Sequence, residues 1–306
     1  MRVAIVGAGA VGSLFAGLLA HGGHDVTLIE RQPETVRAIR HNGLRLEGVR
    51  GDYRVEVSIQ EKGSRVPAAD LVMLCVKAYD TAAAVDEHHK LFTRAHWILS
   101  LQNGIGNIET IAARLGKDRL LAGSTTMGAT LVEPGLCRHA GEGDTTIGAV
   151  ADKTSPGVLE VADAFHTARI DTRAAADVGP LLWAKLCVNV AINPLAALLN
   201  VPNGRLADLP DLAPLMEAAV AETVAVARAE GVSLELARVI EKSWQVVADT
   251  AANFGSMTSD LSRGRRTEID AICGAVVELG KCHDVPTPVN DMLARLIRAR
   301  EALTID

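Results

Sequence analysis

A chain of 306 residues with 48% hydrophobic content can bury a sizeable core, and its length suits two domains. The formal net charge of -6 excludes a basic footprint for nucleic acid or an anionic membrane surface. The five cysteines, Cys75, Cys137, Cys187, Cys273 and Cys282, form no C-x-x-C pair and are odd in number, so reduced core thiols are expected, with no disulfide framework and no metal.

The chain opens with a β-branched run, Val3 to Val6, that feeds Gly7-x-Gly9-x-x-Gly12 and then an apolar helical pattern through Leu14, Leu18 and Leu19. Between strand and helix this spacing is the dinucleotide fingerprint. Gly7 permits the tight turn, Gly9 lets a pyrophosphate approach the backbone, and Gly12 lets the helix pack on the strand with its N-terminus facing the anion. Gly7, Ala8, Gly9, Ala10, Val11 and Gly12 are therefore the candidate cofactor cradle. Residues 3–20 carry no charge, but Gly7, Gly9, Gly12 and Gly17 break them into strand, turn and helix, which argues against a membrane span. No A-x-A cleavage site closes the segment, and a cytoplasmic protein is expected.

A second strand, Asp25 to Glu30, ends in an acidic residue eighteen positions after Gly12, near where a ribose-reading carboxylate is expected, and Arg31 follows it. Neighbours on a strand point to opposite sides, so only one of Glu30 and Arg31 should face the adenosine. Glu30 would accept from a ribose hydroxyl and select NAD. Arg31 finds a strong partner only in a 2′-phosphate, and on that ground NADP is the expected cofactor.

A helix is expected from Pro33 to Asn42, then strands near Leu44 to Glu47 and Tyr53 to Ser58. The continuous apolar run Leu71 to Val76 reads as a doubly covered parallel strand, and Trp97 to Ser100 repeats the signal. His88 and His89 are expected on the solvent side of a helix. A helix near Asn107 to Leu115 follows, with strands at Leu120 to Thr126, Thr145 to Val150 and Arg169 to Thr172. Ligands of such sheets bind beyond the carboxyl ends of the strands, so Lys77 and Asn103, just after two of them, are candidates for the cofactor crevice. On spacing alone, a loop lysine and half of an Asn-Gly turn read more simply as an ordinary solvated loop residue and a turn-former.

From about Asp177 the strand signals vanish. Helical patterns run over Leu212 to Ala229, Leu234 to Asn253, Glu268 to Cys282 and Val289 to Ala302, punctuated by Pro210, Gly231, Gly255, Pro286 and Pro288. The fold class is thus α/β: a Rossmann-type dinucleotide-binding domain over 1–175 and an all-helical substrate domain over 176–306. Leu186 to Gly204 is free of charge and mostly apolar, and Lys185, Asn189 and Asn193 stand at i, i+4 and i+8, on one stripe of a helix. An ammonium and two carboxamides at single-turn spacing can grip an oxygen-rich small molecule, although such a stripe is equally read as solvated surface. Glu268 opens a helical pattern, where a carboxylate suits the helix dipole as well as a catalytic role. The helix around Val220 to Ala229 suits the internal core or a second copy of the chain, which leaves a homodimer open.

Taken together, these blocks resemble the ketopantoate reductase (2-dehydropantoate 2-reductase) family over essentially the whole chain. They are the amino-terminal glycines, Val76-Lys77-Ala78, Gln102-Asn103-Gly104-Ile105-Gly106, Trp183-x-Lys185 with Asn189, Asn193 and Pro194, Pro202-Asn203-Gly204, Ser256-Met257, and Arg266-Thr267-Glu268-Ile269-Asp270. The resemblance implies NADPH-dependent reduction of ketopantoate to (R)-pantoate, a step toward pantothenate and coenzyme A. By the same resemblance Lys185 is the general acid, with Glu268 beside it at the reacting centre and touching the cofactor side. Asn103 borders both nicotinamide and substrate, and Lys77 and Ala129 lie on the cofactor path. Asn189, Asn193, Asn203 and Ser256 hold the substrate's hydroxyl and carboxylate.

The chemistry agrees with these roles. Hydride arriving at a keto carbon makes an alkoxide, and a cation within hydrogen-bond reach stabilises that charge and supplies the proton. Two alternatives stand beside this reading. One is an NAD-linked D-2-hydroxyacid or 3-hydroxyacid dehydrogenase of similar build, although the glycine-rich lead-in of the latter is missing before Lys185. The other is a non-catalytic nicotinamide sensor, against which the intact Lys185 and Glu268 speak.

Overall fold

The computed structural model describes residues 1–64, 66–151 and 155–304. The chain forms two compact units, Met1–Gln102 with Asn107–Val178, and Asn103–Gly106 with Gly179–Asp306. Among the described residues the first contains twelve strands: β1 (Arg2–Val6), β2 (Asp25–Glu30), β3 (Leu44–Gly48), β4 (Tyr53–Val55), β5 (Ser58–Glu61), β6 (Leu71–Leu74), β7 (Trp97–Ser100), β8 (Leu120–Thr125), β9 (Gly128–Glu133), β10 (Leu136–Gly141), β11 (Thr145–Ala149) and β12 (Thr172–Ala174). Six helices accompany them: α1 (Ala10–His21), α2 (Pro33–Asn42), α3 (Thr81–Glu87), α4 (His89–Arg94), α5 (Asn107–Leu115) and α6 (Pro156–Thr167).

Eight strands form one sheet in the order β12-β11-β8-β7-β6-β1-β2-β5. The six from β8 to β5 are parallel, while β11 runs antiparallel to β8. Val3 to Val6 and Leu71 to Leu74 are buried at every position, as strands covered on both faces must be. From β1 the chain winds outward to β2 and β5, and from β6 it winds the other way to β7 and β8. The order therefore reverses between β1 and β6, the place where open α/β sheets bind ligands.

A second sheet, β4-β3-β10-β9, was not anticipated from the pattern. Its β9–β10 hairpin turns at Gly135 (φ +81°), and the strand β9 is half-exposed or exposed throughout, so it lacks a long apolar signal. Helix α1 packs against both sheets and is buried without a break from Gly12 to Leu19. That is why residues 3–20 need no charge. A Cβ at Gly17 would lie 2.4 Å from Leu46 of β3, so this glycine sets the approach of the small sheet.

Other expectations are corrected locally. Tyr53 to Ser58 is not one strand: β4 joins the small sheet and β5 the large one, because the segment turns between Val55 and Ser58. The last strand starts at Thr172, since Arg169 takes a left-handed turn conformation (φ +56°). His88 is buried at the joint between α3 and α4, and only His89 faces solvent.

The second unit consists of α7 (Gly179–Leu199), α8 (Ala213–Ala229), α9 (Leu236–Asp249), α10 (Ser256–Ser262), α11 (Cys273–Cys282) and α12 (Pro288–Thr304), with short 3-10 turns between them. Among the described residues α7 is the one helix long and apolar enough to cross a membrane, but it is the core element of this unit, touched by α8, α9, α10 and α12. Leu186, Cys187, Val190, Ala191 and Ile192 are buried on it. Glu268 precedes a 3-10 turn, Ile269–Ala271, and the helix proper begins only at Cys273.

Candidate active site

In the first unit the glycines meet three separate demands. Gly7 has φ +103°, and a Cβ there would lie 3.0 Å from the carbonyl carbon of Cys75, at the end of β6. A Cβ on Gly12 would stand 1.9 Å from the Gly7 carbonyl oxygen. Gly9 has ordinary extended angles (φ -71°, ψ -167°), and a Cβ there would meet nothing within 4 Å. Neither conformation nor packing of the protein requires glycine at position 9. The open space beside it, at the start of α1 where the N–H groups of the first turn have no intrahelical partner, fits a pyrophosphate.

The adenosine side departs from expectation. The Glu30 carboxylate accepts the Ala8 N–H at 2.8 Å through Oε2, and the N–H groups of Arg31 and Gln32 at 2.7 and 2.9 Å through Oε1. Arg31 reaches the other way along the strand ends, to Asp80 at 2.8 Å. Glu30 and Arg31 thus both turn to the loops after β1 and β6, and strand alternation does not separate them, because β2 ends at Glu30. Lys77 stands half-buried before the 3-10 turn Ala78–Asp80, and Ala129 is half-buried on β9 in register with His139.

In the second unit Lys185, Asn189 and Asn193 form a half-buried stripe on an otherwise buried stretch of α7. Burial lowers the Lys185 pKa to about 8, against the upward pull of the Glu268 carboxylate. Glu268 itself is buried, and its backbone carbonyl accepts the N–H groups of Ala271 and Ile272 at 3.0 and 3.1 Å. The following turn is clamped by Asp270, whose carboxylate pairs with Arg266 and Arg298 at 2.9 and 2.7 Å; those bonds hold its pKa low despite burial. Asn103 belongs to the same body. The Ile105 N–H donates to the Ala271 carbonyl at 2.9 Å, and Gly104 (φ +83°) lies so close that a Cβ would be 2.3 Å from that oxygen. The segment carrying Asn103 is therefore fixed on the turn that carries Glu268, a link with no trace in the spacing of the two.

A second grouping lies farther along α7. A Cβ built on Gly255 would have Asn203 Oδ1 at 3.5 Å, Asn193 Oδ1 at 3.7 Å and Thr258 Oγ1 at 4.0 Å. Asn203 Oδ1, Thr258 Oγ1 and, on the stripe itself, Asn189 Nδ2 are buried with no partner in the protein. Leaving a buried polar group unpaired costs about 1–3 kcal/mol, so its presence calls for a ligand or water. Ser256 is exposed on the first turn of α10, and the residue that joins Asn193 and Asn203 is Thr258. Sequence reasoning passed over Thr258. The spacing Ser256-x-Thr258 on a short helix holds no signal for it.

A nucleotide-binding crevice at the reversal point of a parallel sheet, and a lowered-pKa lysine among carboxamides on a helical body, define a nicotinamide-dependent oxidoreductase of a small oxygenated substrate. The chain belongs to the ketopantoate reductase PanE/ApbA family, whose amino-terminal model matches residues 3–152 and whose carboxy-terminal model matches residues 177–301. It is 44% identical to the 2-dehydropantoate 2-reductase of Halobacterium salinarum over 97% of this chain and 98% of the relative. It is 38% identical to that of Pyrococcus abyssi over 99% of both. Among solved structures, the PanE/ApbA family ketopantoate reductase from Ralstonia eutropha JMP134 superposes with a TM-score of 0.90 at 36% identity over 99% of both chains. D-mandelate dehydrogenase, solved with NADH and anilino(oxo)acetate, superposes with a TM-score of 0.96 at 27% identity over the whole of both chains.

Proposed function

We propose that this chain reduces 2-dehydropantoate (ketopantoate) to (R)-pantoate, with NADPH as reductant, in pantothenate and coenzyme A biosynthesis. The observation that carries the reading is the convergence of Lys185, Glu268 and three carboxamides on one helical body in a chain so close to curated 2-dehydropantoate 2-reductases. Gly7, Gly9, Gly12 and the amides of Ala10 and Val11 would hold the pyrophosphate, and Lys77 and Ala129 would line the cofactor path. When bound, the nicotinamide supplies a hydride to C2 of the keto acid.

Lys185 then does the acid work. Its ammonium hydrogen-bonds the keto oxygen, stabilises the negative charge that develops there, and delivers a proton to that oxygen to give the hydroxyl. A pKa near 8 leaves the group protonated at neutral pH yet a better donor than an ordinary lysine. Glu268 keeps the ammonium charged and aimed. Asn189, through its unpaired Nδ2, donates to an oxygen of the substrate. Asn103 orients the keto group from the loop that rides on Ala271, while Asn193, Asn203 and Ser256 bind the rest of the molecule.

The competing reading, an NADH-linked dehydrogenase of aryl 2-hydroxy acids, draws on the 0.96 superposition with D-mandelate dehydrogenase. A spectrophotometric panel of ketopantoate, phenylglyoxylate and 3-methyl-2-oxobutanoate with NADPH and with NADH decides between them. Ketopantoate with NADPH is expected to give the highest kcat/KM. A preference for phenylglyoxylate, or no turnover with any of the three, would reject the proposal, the latter in favour of a binding module.

A further inference from the structure

Resting on that reading for its catalytic consequence, we infer that Glu301 on α12 is a positioning residue: by holding the backbone of Thr267, it aims the Glu268 carboxylate at the Lys185 ammonium.

Glu268 lies outside the helices and strands, just before the 3-10 turn Ile269–Ala271, so regular secondary structure does not fix it. What fixes it lies on either side. Before it, the Thr267 N–H donates to Glu301 Oε1 at 2.7 Å, a short bond to a charged acceptor. Thr267 is buried, so loss of that acceptor would strand the N–H away from water. The Ile269 N–H donates to Thr267 Oγ1 at 3.2 Å and closes the backbone across Glu268. After it, Asp270 Oδ1 accepts from Arg298 Nε at 2.8 Å. Arg298 and Glu301 stand at i and i+3 on α12, so one side of one helix brackets Glu268 from both directions.

The same helix also holds the other partner. Arg300 donates to the Leu198 carbonyl at 3.2 Å, near the end of α7, the helix that carries Lys185. Helix α12 is thus bonded to both elements whose side chains must meet. The Glu268 carboxylate pulls the Lys185 pKa up against burial, so the titration of Lys185 registers how well Glu268 is aimed.

The test reads Lys185 directly. In the cofactor-free protein, trace acetic anhydride labels the deprotonated amine, and mass spectrometry follows labelling of Lys185 as pH rises; kcat/KM for ketopantoate with NADPH is followed over the same range. Glu301→Ala is expected to move the labelling midpoint and the alkaline limb of kcat/KM down together by about half a unit or more, and to lower kcat about tenfold, as for a misplaced reacting group. Glu301→Gln keeps an oxygen for the Thr267 N–H and should restore both, which separates aim from charge. Arg298→Ala keeps the test open if the first variant misfolds. Removing a cation raises a neighbouring ammonium's pKa by charge alone, whereas loosening Asp270 should lower it, by less than Glu301→Ala does because Arg266 still holds Asp270 at 2.9 Å. A midpoint unmoved in both alanine variants, an upward move in Arg298→Ala, or a Glu301→Gln shift as large as that of Glu301→Ala would overturn the assignment. If the midpoints move as expected while the wild type turns over no ketopantoate, the positioning role stands and the reductase reading falls.

Discussion

On the proposed function, the two units hold their ligands by opposite means. In the first, binding is backbone work: Gly9 presents open main chain at the head of α1, and the nearest carboxylate, that of Glu30, already accepts three backbone N–H groups. In the second it is side-chain work, and the polar atoms of Asn189, Asn203 and Thr258 stand buried and unpaired. A backbone site tolerates no Cβ where the ligand runs. A side-chain site tolerates no wrong functional group. The two should therefore fail differently when altered.

The sharpest break falls on the second unit. Lys185→Ala is expected to lower kcat by about 10² to 10⁴ while NADPH still quenches intrinsic fluorescence with unchanged affinity, because a general acid is lost and the glycine cradle is untouched. Equal loss of cofactor binding would show that Lys185 serves the whole fold and not the chemistry.

Next in size is a pH effect. With the Lys185 pKa at about 8, kcat/KM for reduction should be level below that value and fall about tenfold per unit above it, as the acid loses its proton. Glu268→Gln removes the charge that pulls this pKa up, so the alkaline limb should move to lower pH. A limb that stays in place would detach Glu268 from the ammonium. Stability carries the opposite sign. The folded pKa lies below the ordinary 10.5, so the unfolded chain binds the extra proton between the two values and stability rises with pH across that window. Thermal melts of Lys185→Met from pH 7 to 10 should lack this rise.

Gly9→Ala probes the first unit. Its angles and surroundings accept a methyl, so the melting temperature should hold, while NADPH affinity falls on the order of tenfold because the methyl stands where the pyrophosphate passes. Kinetics with saturating NADPH should return toward normal, which Lys185→Ala cannot do.

This contrast also explains what could be read from the residues. A backbone cradle leaves a fixed imprint, Gly7-x-Gly9-x-x-Gly12 after a β-branched strand, and the parallel strands around it declare themselves by unbroken burial such as Leu71 to Leu74. The stripe of Lys185, Asn189 and Asn193 is equally visible, since one helix supplies all three. Thr258 is not, because Asn203 and Asn193, whose oxygens lie with its own around Gly255, come from other segments and only tertiary packing brings them there. The small sheet was hidden for a related reason: β9 is half-exposed or exposed throughout and β10 is only partly buried, so neither shows an unbroken apolar run. For Arg31 the residues alone decide less, since β2 ends at Glu30 and strand alternation does not set which of the two faces the adenosine.

The smallest expected effect concerns that arginine. Its guanidinium pairs with Asp80 at 2.8 Å, with 58% of the Arg31 side chain exposed, and exposed pairs contribute about 0–1 kcal/mol. A 2′-phosphate must therefore compete with Asp80 for Arg31, but only weakly, while Glu30 with its carboxylate already capped by three amides repels the phosphate less than a bare carboxylate would. Arg31→Ala should weaken NADPH a few-fold and leave NADH almost unchanged. Asp80→Ala should do the reverse, tightening NADPH by a similar factor as the guanidinium is released. Titrations with both cofactors at low and high salt check the pair of results, since added salt should shrink both effects. If the two variants shift NADH and NADPH alike, the adenosine end reads no phosphate, and the whole preference of the first unit rests on the backbone at Gly9.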